Sequence, residues 1–300
     1  MSVASDTQLE ARRYGPNAFG DDLRRFVNLT WTLATTDFKL IYFGSVLGYV
    51  WSLVRPLLFF TVLYLVFTQI FHVGTGIRDY SVQLLMAIIM WTFFLQATAG
   101  CVQCLLGREA LLRKMRFPRL VIPLAVVLTA AFQLVTNLVP IVVFAIASGA
   151  EPRLAWLEIP VLLLALALLA AGIGMLLSVL FVRFRDIQPI WDVSSQVLFY
   201  ASPIIYPVYY YTQGGRNKGP PATFVLPWLG KVLMMNPIAS LIAQARHALV
   251  QSTYEGHNPS AAYALGGWEY IAIPLGIIAF VFVLGVWVFN HEAPRIAENL

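Results

Sequence analysis

Residues 157–182 read LEIPVLLLALALLAAGIGMLLSVLFV, nearly pure Leu and Ala with Gly172 and Gly174 set among them. A helix rises about 1.5 Å per residue, so roughly 20 apolar residues cross a hydrocarbon layer about 30 Å thick. Inside lipid the backbone has no water to bond, so a long oily run must pair its own amides and carbonyls as a helix. The stretch therefore reads as a membrane-spanning helix.

The rest of the 300-residue chain agrees. It is 59% hydrophobic and only 12% charged, with mean hydropathy +0.73. A soluble domain carries about a quarter charged residues. Six spans are expected, at about 50–72, 81–106, 120–148, 157–182, 188–208 and 268–290. The third is expected to be broken by Pro123 and Pro140. The fold class is all-α integral membrane, with one transmembrane domain over 21–290. A loose tail at 1–20 contains Gly15, Pro16, Asn17 and Gly20, and a short cytoplasmic tail covers 291–300. No cleavable signal peptide is expected, because no charged segment runs directly into a short apolar core.

The cations give the orientation. Six spans put both termini on one side, and about fourteen of the twenty Lys and Arg fall on that side. The positive-inside rule makes it cytoplasmic. The net charge of +5 thus reflects loop bias and gives no reason to expect nucleic acid. Residues 21–39, DDLRRFVNLTWTLATTDFK, place Leu23, Phe26, Val27, Thr30, Ala34 and Phe38 on one helical face. Too polar to span, this segment reads as an interfacial helix on the inner leaflet. The outer segment, about 209–267, contains an apolar stretch cut by Pro227, Gly230 and Pro237. Two short re-entrant helices at the outer face fit it, with a membrane-resting loop as the plainer alternative.

Candidates for chemistry are few. His247, Glu255 and His257 lack metalloprotease spacing, and no phosphate loop of the Walker type occurs. Cys101 and Cys104 read as small core residues, without two more ligands for zinc. No catalytic or metal-binding residue is expected. Arg55, near the inner end of the first span, can snorkel to water. Gly44, Gly48 and Ser52 recur every four residues and suit a close helix–helix contact. The fifth span carries Trp191, Asp192, Phe199, Tyr200 and Tyr206. These rings form either an interfacial aromatic belt or the wall of a sugar pathway. Asp192 faces a wet interior in the second reading.

Five cations crowd residues 108–120, REALLRKMRFPRL, between the second and third spans. Helix propensity holds until Phe117, since the residue before Pro118 avoids the α region. The island either fixes topology or docks a soluble partner. Leu111, Leu112, Met115 and Phe117 beside the cations favour docking.

Four segments in order carry a resemblance: FGSVLGYVWSLVRPLL at 43–58, RKMRFPRLVIP at 113–123, FRDI at 184–187 and SPIIYP at 202–207. Together, over about residues 20–290, they resemble the membrane permease subunits of type-2 ABC exporters for cell-surface polysaccharide: O-antigen, teichoic acid, capsule and galactan. The resemblance implies a chain of the bacterial cytoplasmic membrane that pairs with a second copy of itself and with two copies of a separate ATPase. That ATPase binds ATP and Mg, so this chain needs no cofactor of its own. It also implies that Arg108, Glu109, Leu112, Arg113, Lys114, Met115, Arg116 and Phe117 form a coupling helix against the ATPase. The segments around 222–250 would be outer gate helices, and the cargo a lipid-linked glycan or polyol-phosphate polymer. An exporter of a small drug or lipid is the nearest rival, and a membrane-embedded glycosyl- or acyltransferase the more distant one. The longer outer stretch QGGRNKGPPATF at 213–224 departs from the family's pattern.

Overall fold

The computed structural model describes residues 23–42, 46–73, 79–109, 112, 118–149, 154–206, 227–250 and 260–299. Every regular element among them is helical: α1 (Leu23–Tyr42), α2 (Val46–Leu65), α3 (Tyr80–Val102), α4 (Val121–Ala147), α5 (Glu158–Arg183), α6 (Ile187–Ala201), α7 (Pro227–Met235), α8 (Pro237–Leu249), α9 (Ala261–Leu265) and α10 (Ala272–Asn299). A π-helical turn, Val66–Ile70, extends α2. Among the described residues five helical stretches are long and apolar enough to cross a membrane. They are Val50–Ile70, Tyr80–Val102, Val121–Ala147, Leu154–Arg183 and Trp268–Glu292.

The expected fifth span differs. Only Ile187–Ala201 is helical, 15 residues or roughly 22 Å. Ser202 turns to extended geometry just before Pro203, and residues 202–206 form turns. The third expected span differs too: its two prolines do not break it. Pro123 stands in the first turn of α4, where an amide has no intrahelical acceptor to lose. Pro140 lies inside the continuous helix. The helix expected at 21–39 is α1, which runs on to Tyr42, and the expected tail at 291–300 continues α10 as far as Asn299. The tail at 1–20, Gly44 and the stretch 213–224 lie outside the described residues.

The spans pack unequally, which locates the core. α3 is the central helix, with 72% of its apolar window buried, and Leu84, Ile88 and Phe94 fully enclosed. α4 and α5 lie against it. α5 also packs along α10, and its two glycines explain both contacts. A Cβ on Gly172 would stand 2.8 Å from the Phe282 backbone on α10, and one on Gly174 2.7 Å from Cys101 Sγ on α3. Gly285 answers from α10, where a Cβ would meet the Gly172 carbonyl at 2.5 Å. Small residues let helices approach closely where lipid gives no hydrophobic drive for association. α2, by contrast, has only 11% of its window buried.

α1 lies against α4. Phe26 and Ala34 are buried there, and Phe132 of α4 sits edge-on to both Trp31 and Phe38. Leu23 and Val27, read on the same helical face, are exposed. α7 and α8 are two short helices, Pro227–Met235 and Pro237–Leu249. Asn236 caps α8, accepting from the Ile238 amide at 3.1 Å.

Candidate functional site

A cavity of about 770 Å³ opens between α2, α3, α4 and α6, with Ile41 of α1 at its rim. Helical spacing builds each wall. α2 contributes Trp51, Ser52, Arg55 and Phe59 at three- and four-residue steps. α3 adds Trp91, Thr92, Leu95 and Gln96, and α4 adds Gln133 and Asn137 one turn apart. α6 supplies Ser195, Gln196, Phe199 and Tyr200.

Phe199 is the hub of the aromatic wall. Its ring lies 5.5 Å from Trp91, edge-on, 6.4 Å from Phe59 and 5.3 Å from Tyr200. Side-chain amides share the lining with these rings. The hydroxyls of Thr92 and Ser195 are used up on carbonyls of their own helices, Ile88 and Asp192. Gln96, Gln133, Asn137 and Gln196 have no hydrogen-bond partner among the described residues, and Asn137 is 7% exposed. Polar groups in membrane helices are costly unless a partner, water or ligand meets them. Four such amides converging on one cavity form a surface able to hydrogen-bond a hydroxyl-rich molecule, with rings to cover its C–H faces.

The expected pathway residues divide. Phe199 and Tyr200 line the cavity. Trp191 is buried beside Phe94, ring centroids 6.2 Å apart, and its Nε1 is enclosed without a hydrogen-bond partner among the described residues. Asp192 is exposed outside the cavity lining and accepts from Gln188 at 3.3 Å. Tyr206 donates its hydroxyl to the Tyr200 carbonyl at 2.7 Å. Gly48 and Ser52 stand on the cavity wall. A close helix approach on glycine joins Gly172 and Gly285.

Of the cationic island, Arg108, Glu109 and Leu112 are described; Arg113, Lys114, Met115, Arg116 and Phe117 lie outside the described residues. Arg108 turns inward to an ion pair with Asp37 on α1. Leu112 packs against the core. Burial lowers the Arg119 pKa from its ordinary value, and an arginine remains charged at neutral pH regardless.

Sequence reading missed Trp51, Phe59, Trp91 and the four amides as members of one site. It also missed Arg246. This residue of α8 is 2% exposed and donates to the carbonyls of Gln83 at 3.3 Å, Tyr206 at 3.2 Å and Ile204. Tyr80 donates to Ile205 beside it, and Asn236 donates to Ser202 Oγ at 3.1 Å. The turn after α6 is thereby fastened to α3, to α8 and to the α7–α8 junction. A charged residue inside an apolar segment was the available signal for Arg246.

Residues 28–211, more than half of the chain and the whole of the cavity lining, match the family described as ABC-2 type transporter. The chain belongs to the ABC-2 type transporter family. It is therefore a multi-pass membrane protein, in keeping with its apolar helices. An O-antigen export system permease protein, RfbA, of Klebsiella pneumoniae is 27% identical over 273 residues, covering 89% of this chain and 93% of that protein. Its namesake in Myxococcus xanthus is 28% identical over 283 residues, covering 93% and 98%. The ABC-2 match ends before α7, so Arg246 and helices α7 and α8 fall beyond it, though both relatives are nearly as long as the chain itself.

Proposed function

We propose that this chain is the membrane half of an ATP-driven exporter that moves a lipid-linked polysaccharide out across the bacterial cytoplasmic membrane. It works as a pair of identical permeases with two copies of a separate ATPase, both termini lying in the cytoplasm. The observation that carries the reading is the cavity: four amides without a hydrogen-bond partner among the described residues line it together with aromatic rings. A glycan offers alternating hydroxyls and C–H faces, and this lining complements both. The O-antigen export permeases among its relatives supply the substrate class.

A small apolar drug would use the rings and leave the amides unpaired, so the lining favours the glycan over that rival. A transferase would need an acid or histidine at the site, and the described lining includes neither.

The test is export in a reconstituted system. The permease and its ATPase in sealed vesicles, supplied with a radiolabelled lipid-linked glycan, are expected to move label across the bilayer only when ATP is hydrolysed. Replacing Gln133 and Asn137 together by Leu is expected to slow that movement about tenfold or more, since each amide–hydroxyl bond contributes about 1 kcal/mol. ATP turnover by an assembled complex with no movement of any lipid-linked glycan rejects the proposal.

A further inference from the structure

Arg55 is the single charged side chain in the described lining of the cavity. It stands five residues beyond Val50, where the apolar stretch of α2 begins, about 7.5 Å along the helix from that end. Among the described residues no carboxylate pairs with it. A guanidinium so placed is costly in a membrane helix, and its five donors in a fixed fork match an oxyanion held in two-point contact.

The surroundings select the anion. On one side the cavity offers amides and rings. On the other, α2 is left almost bare by the rest of the chain, with 11% of its apolar window buried. A molecule that satisfies all three surfaces has an apolar tail, a hydroxyl-rich portion and a negative charge where the two join. A carboxylic ester linking two alcohols loses its charge. A phosphate can link two alcohols and keep one. We propose that Arg55 is an anion subsite that holds the phosphate of an amphiphile at the mouth of the glycan cavity. The sugar portion of this inference rests on the function proposed above; the phosphate portion does not.

Native mass spectrometry of the full-length protein released from detergent, titrated with hexadecyl phosphate, reads the site directly. One saturable adduct per chain is expected. Affinity should fall about tenfold or more in Arg55→Gln, recover in part in Arg55→Lys, and stay unchanged in Arg185→Gln, which removes an exposed cation outside the cavity lining. Hexadecanol, with the tail and no phosphate, should give no saturable adduct, and hexadecanoate should bind more weakly than the phosphate. Equal binding by wild type and Arg55→Gln overturns the assignment, as does an equal loss in Arg185→Gln. Equal binding of hexadecanoate overturns the phosphate. Displacement by inorganic phosphate at matched concentration makes the site one for the free ion and overturns the amphiphile. Should Arg55→Gln fail to fold, as read by its thermal unfolding, the comparison of the phosphate, alcohol and carboxylate on the wild type decides alone. Glycan export with no phosphate preference sinks this subsite and leaves the function standing; phosphate binding without glycan export does the reverse.

Discussion

Arg108 and Asp37 lie 71 positions apart in the chain and meet as an ion pair between the short 3-10 turn after α3 and the last third of α1. Their side chains are 18% and 24% exposed, enough shelter for the pair to matter and enough water to limit it. Removing one partner leaves the other half-buried and unpaired, which costs about 1–3 kcal/mol. Asp37→Asn and Arg108→Gln are each expected to lower the thermal unfolding temperature of the detergent-purified chain. The double variant should lose less than the two singles combined. A double-mutant cycle with no coupling energy would mean that the contact contributes nothing. The pair also changes what Arg108 is for. The sequence places it with the cations that would face a soluble partner; the fold spends its side chain on tying the island to α1. Arg55 and Arg246 carry the same lesson: each is one cation in an oily run, and its use becomes visible only when other helices close around it. The four cavity amides were equally mute, since Gln96, Gln133, Asn137 and Gln196 come from three helices and no local pattern joins them.

Helices were far easier to read than sites. Runs of apolar residues longer than the bilayer requires fixed α2, α3, α4, α5 and α10 to within a few residues at most ends, because hydropathy and length are summed over a whole segment. The fifth expected span shows the limit. Residues 188–208 are mostly apolar, yet the turn at Ser202-Pro203 is held by contacts from Tyr80, Asn236 and Arg246, which no window on the sequence reports. The α5–α10 contact was half visible, as Gly172 and Gly174 stood out among larger residues while their partners did not. It gives a direct test. Gly172→Val places carbon within 2.8 Å of the Phe282 backbone, which cannot rotate away. The helices must separate, costing about 1–3 kcal/mol or more. Gly276→Ala on α10 meets nothing within 4 Å and serves as the tolerated comparison. Thermal unfolding of both in detergent should show a marked loss only for Gly172→Val; equal stability would mean that the close approach is not needed.

At the scale of the whole molecule, the cations cluster: five of the twenty sit in 108–120. Topology alone needs only cations. It does not need the helix-compatible order of that island or the apolar residues interleaved with its charges. It also does not explain why the island is anchored on both flanks, by Arg108 to α1 and by Leu120 and Val121 in the core. A segment held at both ends against transmembrane helices transmits a push applied to its middle, whereas a loose loop absorbs it. The middle is Arg113, Lys114 and Arg116. If an ATPase presses there, reversing all three to Glu sets like charges against whatever acidic surface meets them, and such juxtaposition costs several kcal/mol. Co-purification of the ATPase with the triple variant should then drop by an order of magnitude or more, with chain yield and thermal stability held. A variant that retains its ATPase and exports at the normal rate would reduce the island to a signal for orientation, and the drive would have to enter elsewhere, with α1 the next surface to test.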